Sequence, residues 1–281
     1  MSLKDILVHV DHTRSCKERI KAALKLAELH DAHLTALYVV SKPVIPTYII
    51  AQLTQDILKA QDEAAHKAAQ DIKEMFDTLS AQYSVRTEWR SVDGDLVEQI
   101  MLHSRYCDLT VLGQRDPDDD DEAPGSNEIP DAILLRSGRP VIIIPYVGTF
   151  KTLGENIMVA WDGSRLATRA VNDAVPVMKG AKKVHVLAVN AQDGHGITKH
   201  GAIPGADMSL HLARHDIKAQ AEHIASGDLS AGDTLLSYAA DSSIDLIVMG
   251  GYGHKRWREV VLGGVTRHML QHMTVPIFMT H

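Results

Sequence analysis

"IVMGGYGHKRWREVVLGGVTRHML", residues 247–270, places five glycines within fifteen positions, between an apolar run and a segment of helical period. In an open parallel sheet, ligands bind outside the carboxyl ends of the strands. Gly250 stands at that end of "DLIVM" (245–249), and Gly250 and Gly253 remove the Cβ atoms that would hold backbone N–H groups away from an anion. Gly263 and Gly264 then open "VTRHMLQHM", a helix whose first N–H groups have no helical partner and whose dipole favours negative charge. The stretch therefore reads as strand, phosphate-cradling loop and helix, the signature of an α/β fold.

Outward from it, the same plan is written twice. "DILVHVD" (5–11) and "NIMVAWD" (156–162) are short apolar runs that each end in Asp. A helix-period segment follows each, and then a second apolar run, "LTALYVV" (34–40) and "VHVLAVN" (184–190). Further on, both halves carry a strand, a Gly-Asp step, a helix and a strand ("CDLTVLG", "DLIVMG"), and both close on a Pro-led apolar run, "RPVIIIP" (139–145) and "VPIFMTH" (275–281). Strand–helix–strand units in two copies predict two doubly wound, Rossmann-like domains, residues 1–147 and 155–281, each around a mainly parallel five-stranded sheet. The boundary falls in the turn-rich "YVGTFKTLGEN" (146–156). The closing strands, as bare apolar edges, would be prone to aggregation and are expected to pair as an intramolecular pseudo-dimer. "SKPVIPTYII" (41–50) and "GHGITKHGAIPG" (194–205) fit no strand or helix and are expected to be loops leading into helices.

A chain of 281 residues suits two domains of ordinary size, and its net charge of −7 lacks the basic excess of a nucleic-acid binder. Residues 1–150 hold 16 Lys+Arg against 24 Asp+Glu, and the remainder 13 against 12, so an anion would prefer the second half. Cys16 and Cys107 form no metal or disulfide pattern. With no signal-peptide pattern and no apolar run of membrane-spanning length, the expected location is the cytoplasm, without a membrane partner.

The spacing Gly-x2-Gly-x9-Gly at Gly250, Gly253 and Gly263, with Asp162 ending the first strand of the same half, resembles the universal stress protein family over nearly the whole chain. The resemblance implies an adenine nucleotide hydrolase-like α/β fold and binding of ATP, AMP or ADP, with Mg as a companion of the phosphates. It implies that Ala160 and Val189 line an adenine slot, that Met249 covers the base, that Asp162 accepts from the ribose or adenine side and that Thr266 supplies a hydroxyl. Val265 and Thr266 follow the last glycine as in many members. Gly264 stands where the family has Ser or Thr, which removes one phosphate-contacting hydroxyl, a loss of about 0.5–1.5 kcal/mol. Trp161 is bulky for its position, and its indole would either floor the adenine pocket or obstruct it. His254, with Lys255 and Arg256, lies inside the loop, within range of the outer phosphates or solvated.

The first half departs from this pattern. "TVLGQRDPDDDDEAPGSNEIP" keeps Gly113 but has Asp116 at the second glycine position and "GS" (Gly125, Ser126) one residue short. The run Asp118–Asp121 would repel a triphosphate, so this site is expected to be degenerate, with the acidic run a solvated, mobile loop. His211 and His215 would share a helix face, with His195 and His200 in the preceding loop, but no carboxylate or Cys completes a metal set at recognisable spacing. No Gly-x-Ser-x-Gly, HExxH or GxxxxGK(S/T) pattern occurs. The expectation is a cytoplasmic stress-response module holding nucleotide in its second domain and forming a homodimer in some settings. A ligand-free interaction scaffold and a weak nucleotide hydrolase are the alternatives.

Overall fold

The computed structural model describes residues 2–40, 55–119, 126–189, 205–252 and 264–281, with backbone alone at 55–62 and 127. The two loops expected at 41–50 and 194–205 lie outside it, except for Gly205. In the first half the order is β1 (Asp5–Val10), α1 (Cys16–His30), β2 (His33–Val40), α2 (Gln55–Ser80), β3 (Arg86–Asp93), α3 (Leu96–Ser104), β4 (Leu109–Gly113), α4 (Ile129–Arg136) and β5 (Val141–Ile144). The second runs β6 (Asn156–Ala160), α5 (Arg165–Met178), β7 (Lys183–Val189), α6 (Ala206–Ala213), β8 (Ala219–Ile224), α7 (Ala231–Asp241), β9 (Leu246–Gly250), α8 (Gly264–His272) and β10 (Ile277–Thr280).

Both halves contribute to one ten-stranded sheet in the order β3-β2-β1-β4-β5-β10-β9-β6-β7-β8. Every pairing is parallel except the central one, where β10 runs antiparallel to β5 with Ile277 opposite Ile143, Phe278 opposite Ile142 and Met279 opposite Val141. These side chains are fully buried, so the two closing strands protect each other's edges.

Near-continuous apolar strands suit a sheet covered on both faces, and alternation divides them between two cores. Ile6, Val8, Ile157 and Val159 point into one core with α1, α2 and α5; Leu7, Met158, Ile143 and Ile277 point into the other with α3, α4, α7 and α8. Helix starts are set locally: Asp95, Ser164 and Ser230 accept from Glu98, Ala167 and Asp233 N–H groups at the first turns of α3, α5 and α7. Among the described residues, the helix that precedes the third strand differs between the halves, with 26 residues in α2 and 8 in α6.

Candidate functional site

A cavity of about 340 Å³ opens at the carboxyl ends of β6, β7 and β9, against the start of α8. Its volume falls within the usual range for small-molecule sites, about 300–1,000 Å³. Ala160, Val189 and Met249 line it, as do Trp161 and Asp162 after β6. Gly250, Gly264, Val265 and Thr266 complete the sequence-predicted set that the cavity brings together. Gly253, His254 and Gly263 lie outside the described residues. Ser164, Leu166, Ala167, Leu187, Ala231 and Leu235 also line the cavity, and motif spacing did not single them out. Leu187 and Ala231 were nonetheless legible, since one sits on the strand beside β6 and the other begins the helix that follows β8.

The strand-end glycine has a packing task besides the one its motif suggests. A Cβ on Gly250 would lie 2.6 Å from the Leu166 carbonyl carbon and 2.7 Å from the Ala167 nitrogen, so this glycine lets α5 pack directly on the end of β9. Gly250 serves close helix–strand packing, and its φ is not in the left-handed region. At Gly264 the opposite holds: a Cβ there would meet nothing within 4 Å. The helix start is therefore open to a larger residue. Thr266 is 4% exposed, and its Oγ1 accepts from the Tyr252 N–H at 3.2 Å, fastening the strand-end loop to α8 and leaving its proton free to donate and one lone pair free to accept.

Trp161 resolves the alternatives posed for it by forming a wall. Its backbone N–H donates to Leu187 O at 2.8 Å, extending the β6–β7 ladder by a residue. The side chain borders both this cavity and a second one of about 350 Å³ that lies between α5 and α6. Asp162 is exposed, and its Oδ1 accepts from the Ser164 N–H at 2.9 Å, leaving acceptor capacity toward solvent and the cavity.

At the corresponding place in the first half, the strand-end carboxylate is already engaged. Arg19 is 2% exposed, and its Nη2 lies 2.6 Å from Asp11 Oδ1. His9 Nδ1 sits 3.6 Å from Asp11 Oδ2, and the Thr13 N–H donates to Asp11 Oδ1 at 3.0 Å. The guanidinium also fills the space beside Gly113, where a Cβ would collide with Arg19 Nη1. Burial raises the Asp11 carboxyl, but the Arg19 and His9 charges and the Thr13 hydrogen bond outweigh it and hold the group at about 2. Burial lowers His9 to about 4, despite the pull of Asp11 and with help from Arg19. The same desolvation pushes the Cys16 thiol up to about 11.

The acidic run also differs from expectation. Asp119 is 7% exposed and its Oδ2 accepts from the Arg14 N–H at 2.9 Å, so it folds onto the turn after Asp11 instead of standing in solvent. Residues 120–125, including Gly125, are outside the described set, and Ser126 begins a short 3-10 helix.

The His211 and His215 rings meet edge-on with centroids 4.8 Å apart, while His195 and His200 lie outside the described residues. Among the described residues no three His, Cys, Asp or Glu gather as a metal site, and no helix is long and apolar enough to cross a membrane.

A parallel α/β sheet with a strand-end cleft, built twice and joined through its closing strands, defines the class of protein. The universal stress protein family model matches residues 2–145 and 154–281, and the chain belongs to that family. Its fold is similar to that of a universal stress protein from Archaeoglobus fulgidus, at a TM-score of 0.72 and 16% identity, covering 98% of this chain and 95% of that one. A putative universal stress protein from Pseudomonas aeruginosa aligns at 0.56 and 14% identity over 99% of this chain and 93% of the other. Universal stress protein Slr1230 of Synechocystis is 26% identical over 148 residues, about half of each chain (51% and 48%).

Proposed function

We propose that the second half, residues 155–281, binds an adenine nucleotide, ATP or AMP, in the cavity at the ends of β6, β7 and β9, and that the first half, residues 1–147, has lost this capacity. The single observation that carries the reading is the convergence of Ala160, Asp162, Val189, Met249, Gly264 and Thr266 on one cavity of suitable size. The residues present fit the group. Ala160, Leu187, Val189 and Met249 offer apolar walls for a base, the Asp162 carboxylate offers an acceptor for a ribose hydroxyl, and the first N–H groups of α8 offer donors to phosphate. The open space at Gly264 leaves room for an anion against that helix start. Nucleotide, with any Mg carried on its phosphate oxygens, would then make the chain a ligand-responsive module of stress physiology.

Mass spectrometry of nucleotide released from the purified chain, with calorimetry of Asp162→Ala, tests this. Co-purifying adenine nucleotide and an affinity loss of about ten- to a hundredfold in the variant, the size of a hydrogen bond to a charged group, are the expected results. A chain that carries no nucleotide and takes up none at millimolar concentration would instead be a ligand-free scaffold.

A further inference from the structure

The cleft in the second half is held from outside that half. Tyr252 lies two residues beyond Gly250, with φ of 60° in the left-handed region that bulky residues rarely adopt. Three contacts keep it there. Its hydroxyl donates to Asp131 Oδ1 on α4 of the first half, its N–H donates to the Thr266 hydroxyl oxygen, and its ring meets His281 edge-on with centroids 6.3 Å apart. Gly251 beside it closes onto the same α4: its N–H donates to Thr280 O at 2.8 Å, and a Cβ there would lie 2.6 Å from Leu134 Cδ2. Asp131 also feels the positive charge of Arg267, the residue after Thr266 on α8. Burial raises the Asp131 carboxyl, and the Tyr252 hydrogen bond and the Arg267 charge oppose that rise.

One carboxylate of the first half thus holds Tyr252 at the strand-end loop of the second, and the Tyr252 N–H in turn fastens that loop to Thr266 at the start of α8. We propose that Asp131 is a positioning residue for the cleft: the first half acts, through the Asp131–Tyr252 contact, to set the distance between the β9 loop and α8 for the phosphate end of a nucleotide. This rests on reading the cavity as a nucleotide cleft. A tandem chain then keeps its first half as a brace for the site in the second.

Sign separates positioning from simple charge. Asp131→Asn removes a negative charge near the cleft, so an electrostatic effect alone would tighten ATP binding, whereas loss of the brace would weaken it. The experiment measures ATP and adenosine affinities by calorimetry for the full chain, Asp131→Asn, Tyr252→Phe and the double variant, and compares hydrogen exchange of the ligand-free proteins at residues 264–272. The expected result is a loss of ATP affinity of about five- to tenfold in each single variant, the order of one charge-assisted hydrogen bond. Adenosine affinity should hold, the double variant should be no worse than either single, and exchange should rise at the first turn of α8. Unchanged or tightened ATP binding with unchanged exchange would overturn the proposal, as would additive losses that affect adenosine equally. If the full chain bound neither ligand but exchange at α8 still rose in both variants, the brace would stand and the nucleotide reading would fall.

Discussion

The two strand-end clefts of this chain start from one plan and end in opposite states. After β6, Asp162 is exposed beside a cavity of about 340 Å³, and the space next to Gly250 is taken by the backbone of α5. After β1, Asp11 is tied to Arg19, and the space next to Gly113 is taken by a guanidinium. Superposing the repeats on their Asp residues places Arg19 at the position of Ala170 and His9 at that of Ala160. The difference at these two positions separates an open cavity from a buried ionic cluster, so a duplicated domain can keep its fold while its strand-end cleft becomes part of its own core.

The comparison is broken most forcefully at the cluster itself. Arg19→Ala, which strands Asp11 without its buried partner, should cost about 3–5 kcal/mol in chemical denaturation, whereas Asp162→Ala, at an exposed residue, should stay within about 0.5 kcal/mol. Equal costs would mean that the two carboxylates have equivalent surroundings.

Acid should act next, and on the first half. His9 is held at about 4, so between the unfolded value near 6.5 and about 4 the unfolded chain takes up a proton that the folded one refuses. Stability falls as pH drops through that window, by roughly 3 kcal/mol in all. Asp11, held at about 2, contributes stability that is fully present above its unfolded value near 3.8 and lost as pH falls toward about 2. Denaturation of His9→Gln at pH 7 and pH 5 checks the first step, because the variant should lack the slope that the parent shows between 6.5 and 4.

Gly250→Ala sharpens the comparison from the second half. With α5 backbone atoms 2.6 and 2.7 Å from the new Cβ, it should cost about 1–3 kcal/mol, read as a lowered denaturation midpoint. The smallest effect belongs to Gly264→Ser, which enters open space: stability should hold, and ATP affinity should rise by about 0.5–1.5 kcal/mol. Calorimetry that finds no gain would leave the added hydroxyl without a phosphate partner.

The fold was legible because its signals repeat. Two Asp-ended apolar runs, two Gly-Asp steps and two Pro-led closing runs point to paired α/β halves, and the apolar closing edges point to a pseudo-dimer, while the antiparallel direction of the β5–β10 pairing leaves no mark in the sequence. The cavity was legible in its strand-end and helix-start residues, since motif spacing records backbone positions. Helix faces are less well recorded, so Leu166, Ala167 and Leu235 emerge only when α5 and α7 are seen to pack beside it. The packing task of Gly250 was not legible, because a glycine against a ligand and one against a helix leave the same mark in a sequence. Arg19 had a readable signal: it sits among Cys16, Ile20 and Ala23 on the buried face of α1, where the other repeat has Ala170. The Tyr252–Asp131 contact had none, because the two residues are 121 positions apart and meet only through the β5–β10 pairing.

The asymmetry between the clefts is tested most directly by counting and locating nucleotide on the intact chain. Calorimetric titration with ATP gives the stoichiometry, and a photoreactive adenine nucleotide followed by peptide mass spectrometry gives the position. The account predicts one nucleotide per chain, with all labelled peptides within residues 155–281. Two nucleotides per chain, or label on the peptides around Asp11 and Gly113, would contradict it.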